Sequence, residues 1–175
     1  MYRWNTQGIP HKGWVLVDCI DLGANVSGAN SIRYETCEMC NKEKIRYVHV
    51  LRHPDYPDEI HVGCKCASKM TDDYVTPQKN ENILRNRANR RINFLKQRWI
   101  RNQNGNLVLH YKNEIITAIE KNGSYGFVFR GKWAWYYQGR KIYDLDTLKL
   151  AAFDVFDALQ NDSNYDVANS APTAR

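Results

Sequence analysis

The chain has 175 residues, of which 43% are hydrophobic and 12% aromatic, and it carries a formal net charge of +6. That is enough apolar material for a packed core, which excludes a globally disordered chain. No apolar run approaches the roughly 18 to 20 residues that span a bilayer. The opening "MYRWNTQGIPHKGW" lacks the apolar stretch of a signal peptide, so the expectation is a soluble cytoplasmic protein with no membrane partner.

In chain order, "GWVLVDCIDLG" alternates as a strand, with Trp14, Leu16 and Ile20 on one face and Val15, Val17 and Cys19 on the other. "GANVSGANS" is a loop by composition. "IRYVHVL" (45–51) and "EIHVG" (59–63) read as two strands joined by "RHPDYPD", a turn by its prolines and aspartates. "CKCASKMTDDY" begins a short helix. A longer helix follows, with Thr76 as N-cap and Pro77 in its first turn.

On that helix Leu84, Ala88, Ile92, Leu95 and Trp99 recur at helical spacing, an apolar stripe about 80° wide at about 100° per residue. Arg87, Arg90, Arg91, Arg98 and Arg101 fall in an adjoining arc, with Phe94 among them. "NLVLHYK", "EIITAIE", "YGFVF" and "WAWYYQ" then form an antiparallel meander of three to five strands, with "KNGS" as a hairpin turn. Tyr125, Phe127 and Phe129 share one face of their strand, and Trp133, Trp135 and Tyr137 one face of the next. Both faces are read as core, the alternative being a surface on which bases stack. The last helix, with Asp144 and Asp146 as capping residues and Asp146 as N-cap, sets Leu148, Ala152, Val155 and Leu159 inward and leaves Asp154 and Asp157 on a solvated face. The resulting fold class is α+β. Residues 14–75 form a small module and 76–160 a helix, antiparallel sheet and closing helix, with 161–175 a flexible tail.

The charge is concentrated. Residues 1–76 carry nine basic and ten acidic side chains and residues 111–175 carry eight of each, whereas 77–110 carry eight basic groups against Glu81 alone. Arg85, Arg87, Arg90, Arg91, Lys96, Arg98 and Arg101 therefore form a candidate phosphate-binding surface, with arginine suited to bidentate contact.

Five cysteines fit a disulfide framework poorly, whereas paired thiols in a reducing compartment point to metal. Cys37 and Cys40 have the two-residue gap of a zinc knuckle. The 23 residues from there to Cys64 allow a hairpin that folds Cys64 and Cys66 back onto that pair. Four thiolates would close the shell of a structural Zn²⁺ and leave no position for water.

A CxxC knuckle, a hairpin and "VGCKCASKM" entering a helix resemble a treble-clef zinc finger. Residues 37–74 in particular resemble a segment of bacterial and phage-associated proteins in which a "VG…CA" step closes the zinc site and a small aromatic-rich domain often follows. The resemblance covers roughly residues 14–160 and implies a fold and a metal but no activity. It departs from the usual pattern in its second pair, Cys-x-Cys, which leaves open whether both thiols bind or whether His61 or His49 replaces one.

The function these features favour is a zinc-stabilised nucleic-acid-binding protein, DNA or RNA, in a bacterial or phage process such as defence, counter-defence or replication. The alternative is a non-catalytic adaptor that docks its basic helix on an acidic protein. A metal-dependent nuclease of the His-Asn-His kind ranks third, because the helix after the hairpin offers no histidine. No catalytic motif points to an enzyme.

Overall fold

The computed structural model describes residues 3–24 and 32–161. Most of the loop expected at 23–31 and the tail expected after 161 lie outside the described residues. The chain is α+β, with its sheets antiparallel, and it divides into two compact units, Met1–Ala88 and Asn89–Arg175. This division falls within the long helix, whose first turn places the Pro77 carbonyl 3.0 Å from His49 Nε2. No helix among the described residues is long and apolar enough to cross a membrane.

The first unit is built on a three-stranded sheet, β1 (Val15–Asp21), β2 (Tyr47–His53) and β3 (Tyr56–Val62), in the order β1-β2-β3. The hairpin between β2 and β3 is tighter than the sequence suggests. His53 pairs with Tyr56, so only Pro54 and Asp55 form the turn, and the His53 ring accepts the Asp55 N–H at 3.0 Å.

The expected face of β1 is broken by a bulge. Leu16 pairs with Leu51 and Asp18 with Val50, so Val17 is an extra residue. One extra residue reverses every side chain after it. Cys19 and Asp21 consequently join the side of Leu16, and Ile20 turns outward.

α1 (Cys64–Thr71) follows β3 and ends at Asp72, which adopts a left-handed conformation with φ 57°. It buries Cys66, Ala67 and Met70 against Trp14, Met39, Ile45, Val48, Leu51, Ile60 and Val62.

α2 spans Thr76–Leu95. Its cap lies upstream of Thr76. The Lys79 N–H bonds to the Val75 carbonyl at 2.9 Å, and the Asp73 carboxylate accepts the N–H groups of Val75 and Thr76 at 2.8 and 2.9 Å. Hydrogen bonds from the Thr76 side chain and from these two main-chain groups hold the Asp73 carboxyl below its usual range.

The packed side of α2 also differs from the apolar stripe. Leu84, Arg87, Ala88, Arg91 and Leu95 are half-buried and Phe94 is fully buried, whereas Ile92 is 48% exposed. Arginine stems therefore occupy part of the packed side, which their methylenes permit. The helix stops at Leu95, so Trp99 never joins the stripe, and Lys149 donates to the carbonyls of Leu95 at 3.3 Å and Gln97 at 2.7 Å. Carbonyls freed at a helix end need such donors.

The second unit carries a five-stranded meander: β4 (Ile100–Arg101), β5 (Leu107–Tyr111), β6 (Glu114–Lys121), β7 (Ser124–Phe129) and β8 (Lys132–Ala134). A separate two-stranded pair, β9 (Tyr136–Tyr137) and β10 (Arg140–Lys141), follows. Three turns place a residue and then a glycine at positive φ: Asn122-Gly123 (53° and 70°), Arg130-Gly131 (48° and 75°) and Gln138-Gly139 (49° and 75°). Two successive positive φ values match the right-handed twist of the flanking strands.

The core face of this sheet holds Leu109, Ile116, Ala118, Phe127, Phe129 and Ala134, closed by α3 (Leu145–Asn161) through Leu148, Ala152, Phe153 and Phe156. Phe127 and Phe129 are core. The second expected aromatic face does not form, because β8 ends at Ala134, leaving Trp133 58% exposed on the opposite side. Trp135 lies so close over Gly126 that a Cβ there would sit 2.6 Å from its ring.

Of the two capping candidates Asp144 caps α3: it accepts the Thr147 N–H at 2.7 Å and its hydroxyl at 2.8 Å. These bonds lower the Asp144 carboxyl, the main-chain one most. Asp157, expected on a solvated face, is buried and takes both Nε and Nη2 of Arg90 at 2.9 and 2.7 Å, while Asp154 accepts the Tyr137 hydroxyl at 2.8 Å.

Candidate metal centre

The segment before β2 folds on itself. Glu35 and Ile45 exchange main-chain bonds at 3.0 and 2.9 Å. Inside that bridge the Cys37 N–H bonds to the Lys42 carbonyl and the Asn41 N–H to the Cys37 carbonyl, both at 2.8 Å. This knuckle presents Cys37 and Cys40 together. β3 then delivers α1, whose first turn brings Cys66. The three sulfur atoms lie within 4.8 Å of one another, with Cys37 and Cys66 buried in the unit's core.

The environment favours thiolate at Cys37. Its thiol is held below the usual range, first by a hydrogen bond from the Cys66 thiol and then by main-chain N–H groups including that of Gly63, 3.4 Å from Sγ. The Cys66 thiol is pushed up in turn, by that same bond and by burial. Three soft donors at this spacing suit a metal ion: a tetrahedral thiolate site with metal–sulfur bonds of about 2.3 Å has sulfurs about 3.8 Å apart. The three residues can therefore hold a metal ion, one donor short of the four thiolates expected.

Cys64 does not join this group. Residues two apart on a helix point about 200° apart, and the Cys64 sulfur falls outside the group of three. The Cys64 thiol instead donates to Gln78 Oε1 at 3.7 Å, and its sulfur lies within 4.8 Å of ligand atoms of His49 and Glu81. Burial, and then the Glu81 charge, raise its pKa. Neither histidine takes its place among the three thiols. His61 Nδ1 lies 2.9 Å from Glu35, and His49 groups with Cys64.

The arginine surface is dispersed. Arg85 bonds Glu81 one turn earlier and lies over the Tyr47 ring at 5.3 Å. Arg90 is bound to Asp157, and Arg87 and Arg91 are likewise engaged. Lys96, Arg98 and Arg101 lie beyond the end of α2, with Arg101 on β4, where it donates to the Gly105 carbonyl at 2.8 Å.

A different basic surface adjoins the thiols. A cleft of about 460 Å³ is lined by Cys37, Cys40, Cys64 and Cys66 together with Lys42, Lys44, Arg46, Lys65 and Arg85, against the single acid Glu81. Arg46 is held by Asp21 at 2.7 Å, whereas Lys42, Lys44 and Lys65 are exposed and have no ion pair among the described residues. These lysines were missed because residues 1–76 are balanced in charge. The signal that marks them is local: "CNKEKIR" alternates Lys42, Lys44 and Arg46, and Lys65 sits between two cysteines.

Fold and site together define a two-unit α+β protein whose first unit holds a thiol cluster fit for a metal ion, beside a basic cleft. Comparison with protein-family models, with curated proteins and with solved structures returned no match.

Proposed function

We propose that the protein is a zinc-stabilised nucleic-acid-binding protein whose first unit is a treble-clef-like module. Cys37, Cys40 and Cys66 hold a structural Zn²⁺, and the cleft beside them receives the phosphate backbone. The order of knuckle, hairpin and thiol-bearing helix supports the module, and the all-sulfur donor set supports zinc. One observation carries the nucleic-acid reading: five basic side chains and one acid line a cleft at the start of α1. The partial positive charge of that helix end adds to the attraction for phosphate. Lys42, Lys44 and Lys65 make the contacts in this reading. Arg90 does not, since its charge is spent on Asp157.

The test is a salt titration of binding to fluorescent single- and double-stranded DNA and RNA. Metal-loaded wild type is compared with the combined Lys42→Ala, Lys44→Ala, Lys65→Ala variant. Each phosphate contact contributes about 0.7 to 0.9 to the slope of log K against log salt, so the variant is expected to lose about 2 to 3 of that slope and at least about tenfold in affinity at low salt. Metal-loaded wild type that binds none of the four polymers, or a variant that binds as wild type does, removes this reading. A stoichiometric acidic protein captured through the same lysines would then make the protein an adaptor.

A further inference from the structure

We propose that His49, Cys64 and Glu81 form a second metal site, separate from the three-thiol cluster, for a borderline transition-metal ion such as Zn²⁺ or Co²⁺. The three residues come from three elements, β2, the start of α1 and α2, and their ligand atoms lie within 4.8 Å of one another.

The histidine supplies the second observation. It is fully buried. Its Nε2 lies 3.0 Å from the Pro77 main-chain carbonyl, which can only accept, so Nε2 carries the ring proton at that contact. Nδ1 is then a bare lone pair, and it is buried with no hydrogen-bond partner among the described residues. An imidazole with one nitrogen anchored on a main-chain carbonyl and the other unpaired is arranged as metal-ligating histidines are.

The remaining donors agree. Cys64 and Glu81 are both half-buried and set a sulfur and a carboxylate donor beside the histidine. Arg85 already bonds one oxygen of Glu81, and the Cys19 sulfur stands 3.6 Å from His49 Nε2. Nitrogen, sulfur and oxygen donors together suit Zn²⁺ or Co²⁺ better than Mg²⁺ or Ca²⁺, which take oxygen. Cys64 and Glu81 line the 460 Å³ cleft, which gives an ion a path in. Three protein donors leave a fourth position for an exchangeable ligand.

The deciding measurement is metal stoichiometry on the full chain, dialysed against excess Zn²⁺ and then against metal-free buffer, with Co²⁺ substitution read by visible absorption. Wild type is expected to hold two equivalents. Cys64→Ser and Glu81→Gln are each expected to hold one, with the thiolate-to-cobalt charge-transfer band of the Cys37, Cys40 and Cys66 site retained. One equivalent in wild type overturns the proposal, and this arm does not depend on any variant folding. Two equivalents retained in both variants overturn it as well. So does a loss of the three-thiol band in Cys64→Ser, which would place Cys64 in the first cluster.

Discussion

Phe94→Ala is expected to lower the unfolding free energy of the second unit by about 3 to 5 kcal/mol, the range for deleting a buried phenyl ring. The ring has no exposed surface and meets Tyr111, Phe153 and Phe156 at centroid distances of 5.1, 5.5 and 5.8 Å. It joins α2 to β5 and α3, so its loss opens a cavity that none of them can fill alone. Whole domains are stable by only about 5 to 15 kcal/mol, so a loss of this size leaves the unit marginal. Ile92→Ala, two residues earlier but 48% exposed, is expected to stay within about 0.5 kcal/mol. Chemical denaturation monitored by hydrogen exchange in residues 107–129 checks both. Equal effects at the two positions would mean that α2 is rotated from the orientation described.

Cys66→Ser, or removal of metal by a strong chelator, is expected to unfold the first unit. Structural zinc contributes apparent free energies of about 10 to 16 kcal/mol in finger peptides, as much as or more than the stability of a small domain. The thiol cluster is part of the core here: Cys37, Met39 and Cys66 pack in one cluster with Ile45, Val62 and Ala67. A metal on these thiols would tie the knuckle to α1 inside that cluster. Hydrogen-exchange protection in residues 45–70 should collapse while protection in residues 107–129 persists. A chelated protein that keeps protection in both would show that the metal is dispensable for folding.

What the sequence made legible is what is local. The CxxC spacing, the Pro54-Asp55 turn, the glycine-bearing hairpins and the start of α1 each depend on a few adjacent residues, and each is present in the structure. The errors have a common physical source, in that partners far apart along the chain decided them. Arg90 looked free because Asp157 lies 67 residues away. Phe94 looked misplaced among arginines until Phe153 and Phe156 of α3 supplied its surroundings. The lysines of the cleft come from two segments, and counting charge along the chain averages them with acids that face elsewhere. Cys64 differs in kind: the paired spacing suggested four thiols together, whereas the structure groups Cys64 with His49 and Glu81. The bulge at Val17 left no mark in the residue pattern at all.

The meander has a kinetic consequence. Each of β4 to β8 pairs with its neighbour in sequence, and the turns after Tyr111, Lys121 and Phe129 are two residues long. The second unit can therefore zip from turn to turn, closing only short loops. The first must bring β1 to β2 across residues 22–46 and Cys37 to Cys66 across a hairpin. Low contact order speeds folding, so in pulse-labelled refolding protection should reach residues 107–129 before 45–70. Simultaneous protection of the two would show one shared nucleus. On this ordering a newly made chain presents its thiol-bearing half first and completes it last.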